Sequence, residues 1–160
     1  MNWIKLAGIA SGALLVLTIV FTCAHRSSRP VFSCVGNFST EITLRDKQLA
    51  GSSDIMITVF SDKRLLILIN GSLLADGDQF RISRELWLKW EVIDREKGII
   101  RASLISEQAS GADNAPSEAV NIYMLGAEPG GTFFQFRQLQ DRLYLIGSSF
   151  SPVVSCVRTD

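Results

Sequence analysis

Residues 6–24, LAGIASGALLVLTIVFTCA, carry no charge and no proline. As a helix rising about 1.5 Å per residue they would extend about 28 Å, close to the hydrocarbon thickness of a bilayer. A short head, MNWIK, precedes them, and a basic, helix-breaking tail, His25 to Pro30, follows. No other stretch constrains the chain as strongly: what folds after it is attached to a membrane or exported across one. A cleaved signal peptide has an apolar core of about 7–15 residues and an A-x-A-like site. Here the run is longer and Thr22-Cys23-Ala24 is a poor site. Lipidation of Cys23 would call for small residues just before it, where Phe21 and Thr22 stand. An uncleaved anchor fits best. It makes residues 1–5 a cytoplasmic head, 6–24 a transmembrane helix, 25–30 a linker and 31–160 a periplasmic domain.

The direction of that anchor rests on cysteines more than on charge. Lys5 and the terminal amine oppose Arg26 and Arg29, so the positive-inside count is nearly balanced. Cys34 and Cys156, however, bracket the whole region after the linker. A pair placed so is how an exported protein staples its first strand to its last. Two unrelated buried thiols are the alternative. The bond needs an oxidising compartment, so disulfide and exported orientation stand together. Within the anchor, Gly8 and Gly12 form a G-x-x-x-G spacing with Ser11 alongside. Such a stripe lets a second helix approach closely; chance alone also produces it, because small residues are common in apolar spans.

Of the 160 residues, about 130 follow the linker, one ordinary domain. All sixteen acidic residues lie there, whereas Lys5, Arg26 and Arg29 precede it, so the overall charge of zero conceals a domain near −3. Acidic and basic residues are interspersed and no basic run occurs, which argues against a nucleic-acid partner.

The domain reads as β throughout. Val31 to Leu44 is rich in β-branched and aromatic residues, with Gly36 marking a bulge or a close approach. Residues 45–53 read as a polar loop. Asp54–Phe60, Leu65–Leu74, Gln79–Ser83, Leu86–Val92 and Ile99–Ser106 follow as short strands. Their connections include Ser61-Asp62-Lys63-Arg64, Ala75-Asp76-Gly77-Asp78 and the hairpin Asp94 to Gly98. Residues 107–118 read as a long polar loop. Residues 119–126 fit either a strand or a short helix begun by Pro116. Thr132–Leu139 and Arg142–Ser148 pair across Gln140-Asp141, and Pro152–Arg158 brings Cys156 home. Eight or nine strands joined mostly by hairpins predict a mainly β, antiparallel fold, closed as a barrel or a rolled β-sandwich. A bond between first and last strands suits closure.

Catalytic machinery is not evident. The only histidine, His25, lies in the membrane-proximal tail, so Ser-His-Asp and Cys-His arrangements and the usual zinc sites are unavailable in the domain. No phosphate-binding glycine motif occurs. Asp76-Gly77-Asp78 is a turn rather than a calcium loop. No metal, no cofactor and no enzymatic activity are expected. The aromatic residues are more suggestive. Trp87, Trp90, Phe133, Phe134, Phe136 and Tyr144 are spread over several strands, and alternation sends Phe133 and Phe134 to opposite faces. Simple core packing accounts for them; one face offered to an apolar ligand or a partner is the alternative.

The apolar run, F-S-C-x-G (Phe32 to Gly36), F-R-I-S-R (Phe80 to Arg84), D-x-x-P (Asp113 to Pro116) and S-P-V-V-S-C (Ser151 to Cys156) together resemble the FidL-like family of small enterobacterial inner-membrane proteins. The resemblance implies no activity and no functional residue. It implies, by analogy with subunits that accompany ToxR-like membrane regulators, a lipocalin-like barrel that partners a regulator; some such pairs sense bile salts. The expected function is therefore a single-pass inner-membrane protein whose periplasmic domain binds and stabilises, or relays a signal to, a membrane-anchored transcriptional regulator. A stand-alone periplasmic module for an apolar small molecule, such as a bile salt or lipid, is the alternative.

Overall fold

A computed structural model describes residues 29–44, 47–126, 131–148 and 154–159. The anchor segment with Gly8, Ser11 and Gly12, and the linker up to Ser28, lie outside the described residues. Among the described residues no helix is long and apolar enough to cross a membrane.

Eight antiparallel strands close into a barrel in simple sequence order, each paired with its chain neighbours and the last with the first. They are β1 (Pro30–Leu44), β2 (Lys47–Phe60), β3 (Arg64–Ala75), β4 (Asp78–Asp94), β5 (Ile99–Ala109), β6 (Thr132–Gln140), β7 (Leu143–Ser148) and β8 (Val154–Arg158). The barrel alternative is thus the one adopted, and the rolled sandwich is not. One helix, α1 (Ser117–Leu125), interrupts the meander between β5 and β6.

Period-2 alternation positions the core. Leu65, Ile67, Ile69 and Leu73 of β3 point inward, as do Ile82, Leu86 and Leu88 of β4, all essentially inaccessible. Each contributes roughly 1.5–3 kcal/mol by leaving water. These side chains fill the middle of the barrel, so it is a packed core rather than a wide lumen.

Three local expectations change. Residues 47–53 are not a loop but the first half of β2, paired with β1 throughout and with β3 from Leu49 on. Their weak strand propensity is overridden by that double pairing. Of the inward residues there, Leu49 joins the core, whereas Gly51 and Ser53 are small where Tyr123 of α1 enters: a Cβ on Gly51 would lie 3.0 Å from the Tyr123 ring. Residues 79–92 are not two short strands but parts of one, β4. Residues 119–126 are mostly helix, with Pro116 at the N-cap, where its carbonyl accepts from the Val120 N–H at 3.1 Å, and Gly126 closing the far end at φ +77°.

Closure is thin at two seams. β1 and β8 pair over Cys34–Asn37 alone, and there the Cys34–Cys156 disulfide forms, with Cα atoms 5.6 Å apart. Gly36 sits opposite Cys156; a Cβ on it would fall 2.3 Å from the Ser155 carbonyl oxygen. It marks a close approach, not a bulge. β5 and β6 pair over Ile99–Ala102 alone, and α1 lies beside the gap.

Candidate functional site

The two ends of the barrel differ. The end holding α1 is plugged: Val120 and Tyr123 are fully buried, and the Tyr123 ring packs edge-on to Phe38 at 4.9 Å. Burial pushes the Tyr123 phenol up from its ordinary pKa, against the weaker pull of the neighbouring Ser53 hydroxyl.

The other end, where β1 begins, is open. Phe32, Val59, Trp90, Ile100 and Phe136, from five strands, line an apolar recess of about 260 Å³. Phe32 is its hub, edge-on to Phe136 at 6.0 Å and to Tyr144 at 4.9 Å. The indole Nε1 of Trp90 donates to the Arg64 carbonyl at 3.1 Å, so its polar end is satisfied and its ring faces the recess. Asp94, Arg95 and Gly98 of the β4–β5 hairpin form one lip. The Lys97 backbone N–H, at 3.0 Å, holds the Asp94 carboxyl below its ordinary pKa.

The six aromatic residues, read as core or alternatively as one face offered to a ligand or partner, divide between several places. Trp90 and Phe136 line the recess, with Tyr144 behind Phe32. Phe134 is core, and Phe133 takes the opposite face, as alternation requires. Trp87 lies on the outer wall, stacked on Phe60 at 5.6 Å with the Arg64 guanidinium 5.2 Å from its ring.

On that outer wall, register aligns an apolar row across five strands: Leu143, Val157, Val35, Met56 and Leu68 are successive cross-strand partners. Val157, Val35 and Met56 are 49 %, 43 % and 37 % exposed. Outward apolar residues on adjacent strands make a patch; single ones do not.

Beyond its pairing with β6, β5 from Ser103 to Ala109 is partnered only by β4 among the described residues. It is not an open template, because an extra residue, Ile105, bulges there and Glu107 points inward.

Glu107 belongs to a polar cluster that sequence reasoning did not assemble. Arg84 uses all five of its N–H donors inside the barrel wall. Nε and Nη2 meet Asp113 Oδ2 and Oδ1 at 2.8 Å each; Nη1 donates to Glu107 and to Ser117 Oγ, and Nη2 also to the Ala115 carbonyl. Asp113 in turn accepts from the backbone N–H groups of Ser83 and Ala115. Burial raises the Asp113 pKa, but Arg84 and these N–H groups outweigh it and hold the carboxyl below its ordinary value. The Arg84 guanidinium is correspondingly raised, chiefly through Asp113. The F-R-I-S-R and D-x-x-P motifs are thus two halves of one clamp, which ties the 110–117 loop and the start of α1 to β4. Their shared signal was the motifs' presence; which residues met could not be read from spacing. Among the described residues, no cluster of His, Cys, Asp and Glu is arranged to hold a metal ion.

The fold and these surfaces define a class: small up-and-down β-barrels with a filled interior, one plugged end and one apolar mouth. Within that class, residues 71–156 match the family described as FidL-like putative membrane protein. The match spans more than half of the chain, which belongs to that family. It includes Arg84, Trp90, Asp113, Phe136 and Cys156 and stops short of Cys34 and the apolar segment. No curated protein matches the chain.

Proposed function

We propose that this protein is a non-enzymatic, single-pass inner-membrane protein whose periplasmic barrel binds and stabilises, or relays a signal to, a membrane-anchored transcriptional regulator. The apolar row Leu143–Val157–Val35–Met56–Leu68 carries this reading. It is continuous over five strands and half-exposed at its centre, a surface suited to a protein partner. The Gly8–Gly12 stripe adds a matching contact in the membrane. The experiment is co-purification of the tagged chain from detergent-solubilised membranes in which such a regulator is also expressed. Recovery of the regulator, lost in Val35→Asp/Met56→Asp, is expected; recovery of the chain by itself overturns the reading.

A second reading has its own observation. The recess at the open end suits an apolar small molecule. At about 260 Å³ it falls below the roughly 300–1,000 Å³ of pockets that enclose a drug-sized ligand. It would therefore hold only part of a ligand such as a bile salt. Ligand-dependent melting, abolished by Phe136→Asp, tests it.

A further inference from the structure

The open end differs from the plugged end in three ways at once. First, it is where the chain enters. The Arg29 carbonyl accepts from Ser61 N–H at 3.1 Å, which pins the start of the barrel to the β2–β3 turn at the mouth. Residues 25–29 separate this point from the apolar run, and five residues reach at most about 18 Å. Second, its rim is apolar and uncovered. Val31, second in β1, is 51 % exposed, Ile93, beside Val92 and next to last in β4, is 50 % exposed, and Leu139 near the end of β6 is 46 % exposed. Leu74 is the comparable exposed residue of the plugged end among the described residues. Third, the charge is polarised. Arg29, Lys63, Arg95, Lys97, Arg142 and Arg158 surround the mouth, against Asp62, Asp94, Glu96 and Asp141. Glu41, Asp76, Asp78 and Glu118 mark the other end, with Arg81 and, at the start of β2, Lys47.

Apolar side chains interleaved with basic ones are what an interfacial surface presents to lipid: the apolar tips enter the headgroup boundary by about 5–10 Å while cations meet phosphate. We infer that the open end of the barrel is a membrane-docking face, seated on anionic phospholipid of the bilayer that the apolar segment enters, so that the Phe32–Trp90–Phe136 recess opens toward acyl chains. This rests on the retained-anchor reading of residues 6–24. It accounts for the size of the recess, which needs to cover only the ends of chains, and for its apolar lining so close to water.

The test uses the full chain in vesicles of phosphatidylglycerol whose acyl chains are brominated, a short-range quencher of tryptophan. Trp3→Phe/Trp87→Phe leaves Trp90 at the mouth; Trp3→Phe/Trp90→Phe leaves Trp87 on the outer wall. Relative to unbrominated lipid, Trp90 emission is expected to fall at least two-fold and Trp87 emission distinctly less. Arg95→Glu/Lys97→Glu is expected to weaken the Trp90 effect. Equal quenching of the two tryptophans, or none at Trp90, overturns the docking. Carbonate extraction of the same vesicles separates the two levels. A chain that resists carbonate but is not quenched overturns the docking alone, and a chain stripped by carbonate overturns the anchor and the docking with it. No regulator is present, so the quenching results leave the partner reading untouched; a chain stripped by carbonate removes its single-pass part, and co-purification tests the partner itself.

Discussion

Arg84 and Asp113 meet through two parallel hydrogen bonds of 2.8 Å, with side chains only 3 % and 1 % exposed. A charge pair this enclosed is stable because every donor and acceptor has a partner, not because ions favour interiors. The clamp fixes the loop that delivers α1, and α1 in turn plugs one end of the barrel. The open end keeps the apolar recess lined by Phe32, Trp90 and Phe136.

Removing one partner of this pair should therefore be far worse than removing both. Arg84→Met leaves Asp113 buried and unpaired, and is expected to cost about 3–5 kcal/mol. Arg84→Met/Asp113→Leu is expected to recover a substantial part of that loss. Thermal unfolding followed by far-ultraviolet circular dichroism measures both; a double variant no more stable than the single one would show that the pair does not act as a unit.

Acid should dissolve the same clamp. The folded pKa of Asp113 is depressed below its ordinary 3.8. Its contribution is then fully present above pH 3.8 and is lost as pH falls through the lower folded value. Stability should hold from neutral pH to about 5 and decline below 4. In Asp113→Asn that part of the slope should be missing, which unfolding midpoints taken across pH 3–7 would reveal.

Reduction should loosen the first seam. Cys34 and Cys156 are 122 residues apart, for which chain-entropy arguments give about 4–5 kcal/mol. Maleimide-polyethylene glycol is expected to label neither thiol in cells without reductant and both with it. Labelling of both without reductant would remove the bond and the periplasmic orientation together.

Two glycines offer a contrast. Gly36→Ala would push a methyl group into the Ser155 carbonyl, and should cost about 1–3 kcal/mol through forced backbone shifts at the β1–β8 seam. Gly111→Ala meets nothing within 4 Å and should be neutral. Equal melting temperatures for the two variants would contradict the close approach.

Much of this was legible in the chain. Alternation in Leu65–Ile69 and Leu86–Trp90 fixes which residues face inward, because a strand has a period of two. The end-to-end cysteines announced closure. Residues 47–53 were not legible, because KQLAGSS has no β-branched residue; its pairing with β1 and β3, and the approach of Tyr123, are tertiary facts. The aromatic set scattered for the same reason: Trp87 and Trp90 are three apart, and an odd spacing puts them on opposite faces of β4. The clamp lay hidden because Arg84 and Asp113 are 29 residues apart, and no local pattern encodes that distance.

The narrow β1–β8 seam has a genetic corollary. β8 is five residues long and is paired with both β7 and β1. A stop codon before Val154 therefore does more than shorten the chain. It turns a ring into an open sheet with two unprotected edges and strands Cys34 as a lone thiol. Alleles that lose β8 should behave as null alleles, and a tag inserted within residues 154–158 should not be tolerated.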